Sequence, residues 1–181
     1  MIIKRRSILA AALAAIPSRV LAQPGRQAPP LEIGPVRNGA DRLGESHTIG
    51  ASAAAFKVLT TESKGAVFIM ENVLTRKGGP PRHLHHDQDE WFYVLQGDFV
   101  FEIGSQRFTL GAGDSILGPR EIAHAYAFVG EPPGRLLIAF NPANRIEEFF
   151  RNRTEGAQYS TDAARYKAYG LELLGGPLQV G

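Results

Sequence analysis

The sequence predicts an all-β fold, a single barrel or sandwich, on two observations. Between Ala53 and Phe140, short runs rich in Val, Ile, Phe and Tyr recur at regular spacing, with glycine-bearing turns between them. The same region leaves no room for the crossovers of roughly a dozen or more residues that parallel strands require. With 181 residues and 44% hydrophobic content, the chain suffices for one domain with a real core and is short for two.

Residues 1–22, MIIKRRSILAAALAAIPSRVLA, have a basic start, an apolar run from Ile8 to Ile16 and a small residue at Ala22. This pattern predicts a secretory signal, its apolar part too short to span a bilayer, with the mature chain beginning at Gln23. Arg5-Arg6 followed by Ser7, Ile8 and Leu9 further resembles a twin-arginine signal, which exports proteins already folded; the plainer reading is a general secretory signal. Either route predicts an exported, periplasmic protein with no stable membrane anchor.

Removing residues 1–22 takes away Lys4, Arg5, Arg6 and Arg19 and no acidic residue, leaving 16 basic against 18 acidic side chains, a net charge of −2. A balanced surface of this kind gives no electrostatic reason for nucleic acid as a partner. There is no cysteine, which excludes disulfides and thiol catalysis and leaves stability to the core.

Residues 23–50 are rich in Pro, Gly and Ala without a sustained period, and read as an extended arm or linker in which His47 is an ordinary surface residue. Residues 51–142 are the barrel. Its nine expected strands are AFKVLT (55–60), AVFIMENVLT (66–75), the histidine-bearing run around 83–86, WFYVLQ (91–96), FVFEI (99–103), RFTL (107–110), SILG (115–118), IAHAYAFV (122–129) and RLLIAF (135–140). Residues 143–181 read as a helical segment packed on the barrel, with two short helices over 143–151 and 161–169. Ser160 or Thr161 would cap the second, and Gly170 would follow its end. Ile146, Phe149, Phe150, Tyr166 and Tyr169 are spaced to cover the barrel wall, or to form a lid over its mouth.

The chemistry concentrates in GGPPRHLHHDQDEWFYVLQG, residues 78–97. On an extended strand His83 and His85 share a face, while Leu84 and His86 take the other, so only one pair can chelate inward. The alternation assigns His86 to solvent, and Asp87 and Asp89 to a water-facing bend. His124 arrives from a distant strand, as a barrel interior allows. Three imidazoles with the Glu90 carboxylate suit one divalent transition metal such as Mn, Fe, Ni, Cu or Zn. A non-ligating Glu90 acting as a base beside the metal is the alternative. Strand parity directs Phe92 inward with Glu90, and Tyr126 and Phe128 inward with His124. These three are the candidate substrate-pocket residues, with core packing as their simpler role.

His83-Leu84-His85, Glu90 and Gly97 resemble the first motif of the cupin superfamily, and Gly113, Pro119 and His124 resemble most of the second. The run from Pro80 to Phe128 looks most like single-domain cupins grouped with quercetin dioxygenase. Three positions depart from the pattern: Lys77, with Gly78 next to it, stands where the first motif begins with glycine; Glu121 replaces a glycine of the second; Phe128 replaces its terminal asparagine. The resemblance implies a cupin-type jelly-roll barrel with the metal inside it, bound by His83, His85, Glu90 and His124. It also implies a dioxygenase-type enzyme acting on a small phenolic, flavonol-like or diketone-like substrate, with Glu90 as its catalytic residue and a homodimer as its assembly. A non-catalytic small-ligand or metal-binding cupin, and a cupin isomerase or lyase, are the alternative readings. No nucleophile elbow, phosphate-binding glycine loop or HExxH helix competes with them.

Overall fold

The computed structural model describes residues 34–45, 47–49, 52–152 and 161–180. The expected signal at 1–22 and the first part of the expected arm lie outside the described residues.

Among the described residues, eleven strands form two antiparallel sheets. The first sheet runs in the order β1 (His47–Ile49), β2 (Ser52–Val58), β3 (Phe68–Leu74), β10 (Gly134–Asn141), β5 (Asp89–Gln96) and β8 (Ser115–Gly118). The second is ordered β11 (Leu171–Pro177), β4 (Pro81–His85), β9 (His124–Phe128), β6 (Phe99–Ile103) and β7 (Gln106–Leu110). All nine strands expected from the sequence form, as β2 to β10, in a jelly roll whose connections pass from one sheet to the other except at the β2–β3 and β6–β7 hairpins. Alternation along each strand sends Phe68, Met70 and Leu74 of β3, Phe92 and Val94 of β5, Phe99 and Phe101 of β6, and Leu136, Ile138 and Phe140 of β10 into one buried core.

Two strands were not expected. Within the arm, β1 pairs with β2, and Asp41 accepts the Phe56 amide at 2.6 Å while the Arg42 amide donates to the Phe56 carbonyl at 2.8 Å. His47 is correspondingly no surface residue. Its ring stacks on Phe56 with centroids 3.9 Å apart, and its Nε2 faces Asp41 at 3.5 Å. In the C-terminal segment, the chain returns as β11 and pairs with the histidine strand, Leu171 opposite His85 and Leu173 opposite His83. That segment is therefore a helix pair followed by a strand. The helices are shorter than expected, α1 Ile146–Arg151 and α2 Ala163–Ala168. Asp162 caps α2, its carboxylate accepting from the Ala164 and Arg165 amides, and takes the place expected of Ser160 or Thr161. Gly170, at φ +78°, turns the chain from α2 into β11.

The segment leading into β4 is held tightly against β9. A Cβ at Gly79 would lie on the Tyr126 carbonyl oxygen, whereas at Gly176 it would meet nothing within 4 Å. Gly79→Ala is expected to destabilise the fold by about 1–3 kcal/mol or more, and Gly176→Ala to have little effect. Urea midpoints measure both; equal midpoints would contradict the close approach.

Candidate metal centre

The site is assembled from both sheets. His83 and His85 project from β4 and His124 from β9, where His83 and His124 are direct cross-strand partners. Glu90 projects from β5 in the opposing sheet, between Phe140 of β10 and Gly118 of β8. All four side chains are buried, and one ligand atom from each lies within 4.8 Å of the others.

Each imidazole has its outer nitrogen committed to an oxygen. His83 Nδ1 donates to the Pro81 carbonyl at 2.8 Å and His124 Nδ1 to the Ile122 carbonyl at 3.0 Å. His85 Nδ1 meets Gln88 Oε1 at 2.8 Å, and that amide is oriented because its Nε2 donates to the carbonyls of Pro142 and Ala143 at 2.7 and 2.8 Å. Carbonyl and amide oxygens only accept, so all three Nδ1 atoms carry hydrogen, and the Nε2 atoms turn inward as lone-pair donors. They face Glu90 Oε2 at 2.9 Å from His124, 3.2 Å from His85 and 3.9 Å from His83. His85 Nε2 is buried and out of line for a hydrogen bond, a polar atom left unsatisfied. Lone pairs gathered around a carboxylate repel unless a proton or a cation lies among them. The donor set thus fits one metal ion, with backbone and Gln88 oxygens orienting the ligands from behind.

The electrostatics agree with that arrangement. Burial and the neighbouring His124 and His85 rings pull His83 down to about 3, so at neutral pH its inner nitrogen is a free lone pair. Burial opposes the charge on Glu90, but contacts with His124 and His85, each of which needs a proton between nitrogen and oxygen, outweigh it and hold the carboxyl below the usual carboxylate range.

A cavity opens beside these groups, about 40 Å³ in the space traced by the centre of a water-sized sphere. That is several times the roughly 10–15 Å³ one water needs. His83, His85 and Glu90 form its polar end, Asn72 and Tyr126 a second polar patch, and Met70, Ile138 and Phe140 the barrel wall. Ile146, Phe149 and Phe150 of α1, Tyr166 of α2 and Leu171 of β11 complete the lining. The C-terminal segment therefore closes over the cavity as well as packing on the barrel. Arg165 fastens its two helices, donating to the Phe149 carbonyl at 2.6 Å and to the Asn152 carbonyl at 3.1 Å.

Of the three pocket residues named from strand parity, only Tyr126 lines the cavity. Phe92 is 1% exposed and wedged among Phe101, Tyr126 and His124, behind the metal donors. Phe128 points inward but packs on Phe99 further along the barrel, where Gly97, Gly130 and Gly134 leave room for its ring. Parity selects a face of the strand; distance along the strand decides which inward residue reaches a cavity. His86 lies outside the donor group, exposed between Glu121 at 3.3 Å and Glu172 at 3.6 Å. Asp89 pairs at the surface with Arg120, which holds its carboxyl down to about 2. Glu121 has φ +62°, the left-handed conformation glycine adopts most easily, and its amide donates to the His85 carbonyl at 2.7 Å. Gln88 and Asn72 were not foreseen. Gln88 sits three residues past His85 in the bend, and its role depends on Pro142 and Ala143, far along the chain. Asn72 had a local signal: it is the one polar residue in the inward series Phe68, Met70, Asn72, Leu74.

Residues 71–140 match the model of the cupin domain. That stretch is a cupin domain. No curated protein matches this cupin in sequence. Among solved structures it is similar to Pac13 of Streptomyces, a unique nucleoside dehydratase, with 11% identity over 73% of this chain and 85% of Pac13 and a TM-score of 0.50. It is also similar to an RmlC-like cupin of Shewanella frigidimarina, at 21% identity over 57% of this chain and 87% of that one, TM-score 0.47. KdgF of Halomonas shares 23% identity over 51% of this chain and 79% of its own, TM-score 0.46. At these identities the likeness is one of fold.

The metal-free cupin should lose stability with acid. His83 binds a proton near 6.5 when unfolded but only near 3 when folded, so its contribution is complete above 6.5 and is lost as pH falls towards 3. Glu90, also held low, adds loss in the same direction below its ordinary range. Chelator-treated protein is expected to melt progressively lower from pH 7 to pH 4. A flat profile would contradict a buried, neutral His83.

Proposed function

We propose that this chain is an exported, mononuclear metal-dependent cupin of dioxygenase type, acting on a small phenolic or diketone-like substrate. The convergence of three inward Nε2 atoms on Glu90 Oε2 carries this reading. His83, His85, Glu90 and His124 would hold the metal, and the signal-like pattern of residues 1–22 supports export.

A divalent transition metal in that position supplies Lewis acidity towards an enolic or phenolic oxygen, and a redox-active one supplies oxygen chemistry. The protein supplies the rest. Pro81, Gln88 and Ile122 fix the imidazoles so that their lone pairs need no reorientation. Glu90 carries two carboxylate oxygens, so that one can ligate the metal while the other takes the substrate's hydroxyl proton. Phe140, Phe149, Phe150 and Tyr166 surround the reacting end with aromatic surface and exclude water. The modest cavity favours one ring or a short diketone over a three-ring flavonol, which would require α1 and α2 to move aside.

Oxygen uptake by the metal-replete mature protein, over a panel of catechols, diketones and flavonols, tests the proposal. Substrate-dependent uptake is expected, with Glu90→Gln slower by about 100-fold or more and His83→Ala/His85→Ala devoid of metal. A fully metallated protein that binds these compounds without consuming oxygen is instead a binding protein, and turnover that continues without oxygen makes it an isomerase or lyase.

A further inference from the structure

Asn72 is 2% exposed and lines the cavity, in a strand whose other inward residues are Phe68, Met70 and Leu74. Its cross-strand neighbours are Leu136 of β10 and Ala54 of β2, so nothing polar in the sheet compensates it. Its Nδ2 donates to Tyr126 Oη at 2.8 Å, which orients the amide. Its Oδ1 is buried without a hydrogen-bond partner. Among the described residues no group offers it a hydrogen, so it is left to whatever fills the cavity. A residue serving only to clamp Tyr126 needs its amide hydrogens and gains nothing from a stranded carbonyl oxygen in the cavity.

The patch and the donors line the same cavity. Tyr126 is two residues from His124 on the same face of β9, so their backbones are roughly 7 Å apart along the strand. A single six-membered ring with oxygen on opposite edges bridges a gap of that order between two apolar walls. Since Oδ1 can only accept, the far edge of such a ring must donate.

We propose that Asn72 is the substrate-positioning residue of this cavity, and that it selects a single-ring phenol bearing a second O–H or N–H donor opposite the oxygen directed at His83, His85 and Glu90. This rests on the reading of the four-residue group as a metal centre that receives a phenolic oxygen. Diketones, which carry no such donor, are poor ligands on this account, and of the substrate classes considered the hydroxylated ring remains.

The test compares hydroquinone with its monomethyl ether, which keeps the ring and one hydroxyl but turns the far donor into an acceptor. Affinities are measured by calorimetry under argon, on mature protein loaded with Zn²⁺, for wild type, Asn72→Leu and Tyr126→Phe. Wild type is expected to prefer hydroquinone by about tenfold or more. Asn72→Leu should erase the preference by weakening hydroquinone alone. Tyr126→Phe frees the amide to turn and should reduce the preference; it carries the test if the leucine variant does not fold. Equal wild-type affinities, a preference that survives in the variants, or no binding of either compound overturns the proposal. The same titrations on metal-stripped protein separate it from the metal reading. If Zn²⁺ fails to bind but hydroquinone is still preferred through Asn72, the metal reading alone has failed. If Zn²⁺ binds in a one-to-one ratio and the preference is absent, Asn72 alone has been misassigned.

Discussion

The structure depends on how a carboxylate is kept charged inside an apolar barrel. Among the described residues, the ion-pair partners of Glu90 are His83, His85 and His124. Burying an ionised carboxylate costs several kcal/mol, a large part of the roughly 5–15 kcal/mol that separates folded from unfolded domains. The contacts from His124 and His85 offset this only while a proton lies between nitrogen and oxygen; with hydrogens on the outer nitrogens alone, the imidazoles present lone pairs to a negative oxygen. One cation at the point of convergence reverses the sign of every contact. The arrangement that is poor without a metal is a preorganised site for one, and the orienting oxygens of Pro81, Gln88 and Ile122 are what make it costly to relax.

Jelly-roll topology makes that convergence possible. Residues 34 positions apart, Glu90 and His124, meet at 2.9 Å because β5 and β9 lie in opposite sheets whose inner faces form one core. The same chain then closes its own cavity. After β10 the polypeptide crosses the mouth as α1 and α2 and returns along the histidine strand as β11, which ties the aromatic cover to the strand that carries two of the donors. Movement of α1 and α2 therefore bears directly on access to the metal end, and α2 sits close enough for Tyr166 to meet the His83 ring edge to face at 5.7 Å.

Much of this was legible in the sequence because its causes are local. Alternation of apolar residues marked the nine central strands, and the spacing of His83, His85 and Glu90 together with His124 marked the donor group. The unusual backbone at Glu121 was legible as a motif glycine replaced. What escaped depends on distant partners. His47 is buried by Phe56 through pairing of two short strands, and Leu171–Pro177 becomes a strand only because β4 offers an edge. Phe92 and Phe128 face inward as parity requires, yet whether an inward ring meets cavity or core is set by depth in the barrel. Gln88 gains its role from backbone carbonyls contributed by Pro142 and Ala143.

X-ray absorption at the metal edge of the loaded mature protein addresses the central claim most directly. The account predicts scattering from three imidazoles and one carboxylate oxygen, with one imidazole lost in His124→Ala and the carboxylate lost in Glu90→Ala. A metal bound by fewer than three imidazoles, or a spectrum unchanged by either substitution, would contradict it.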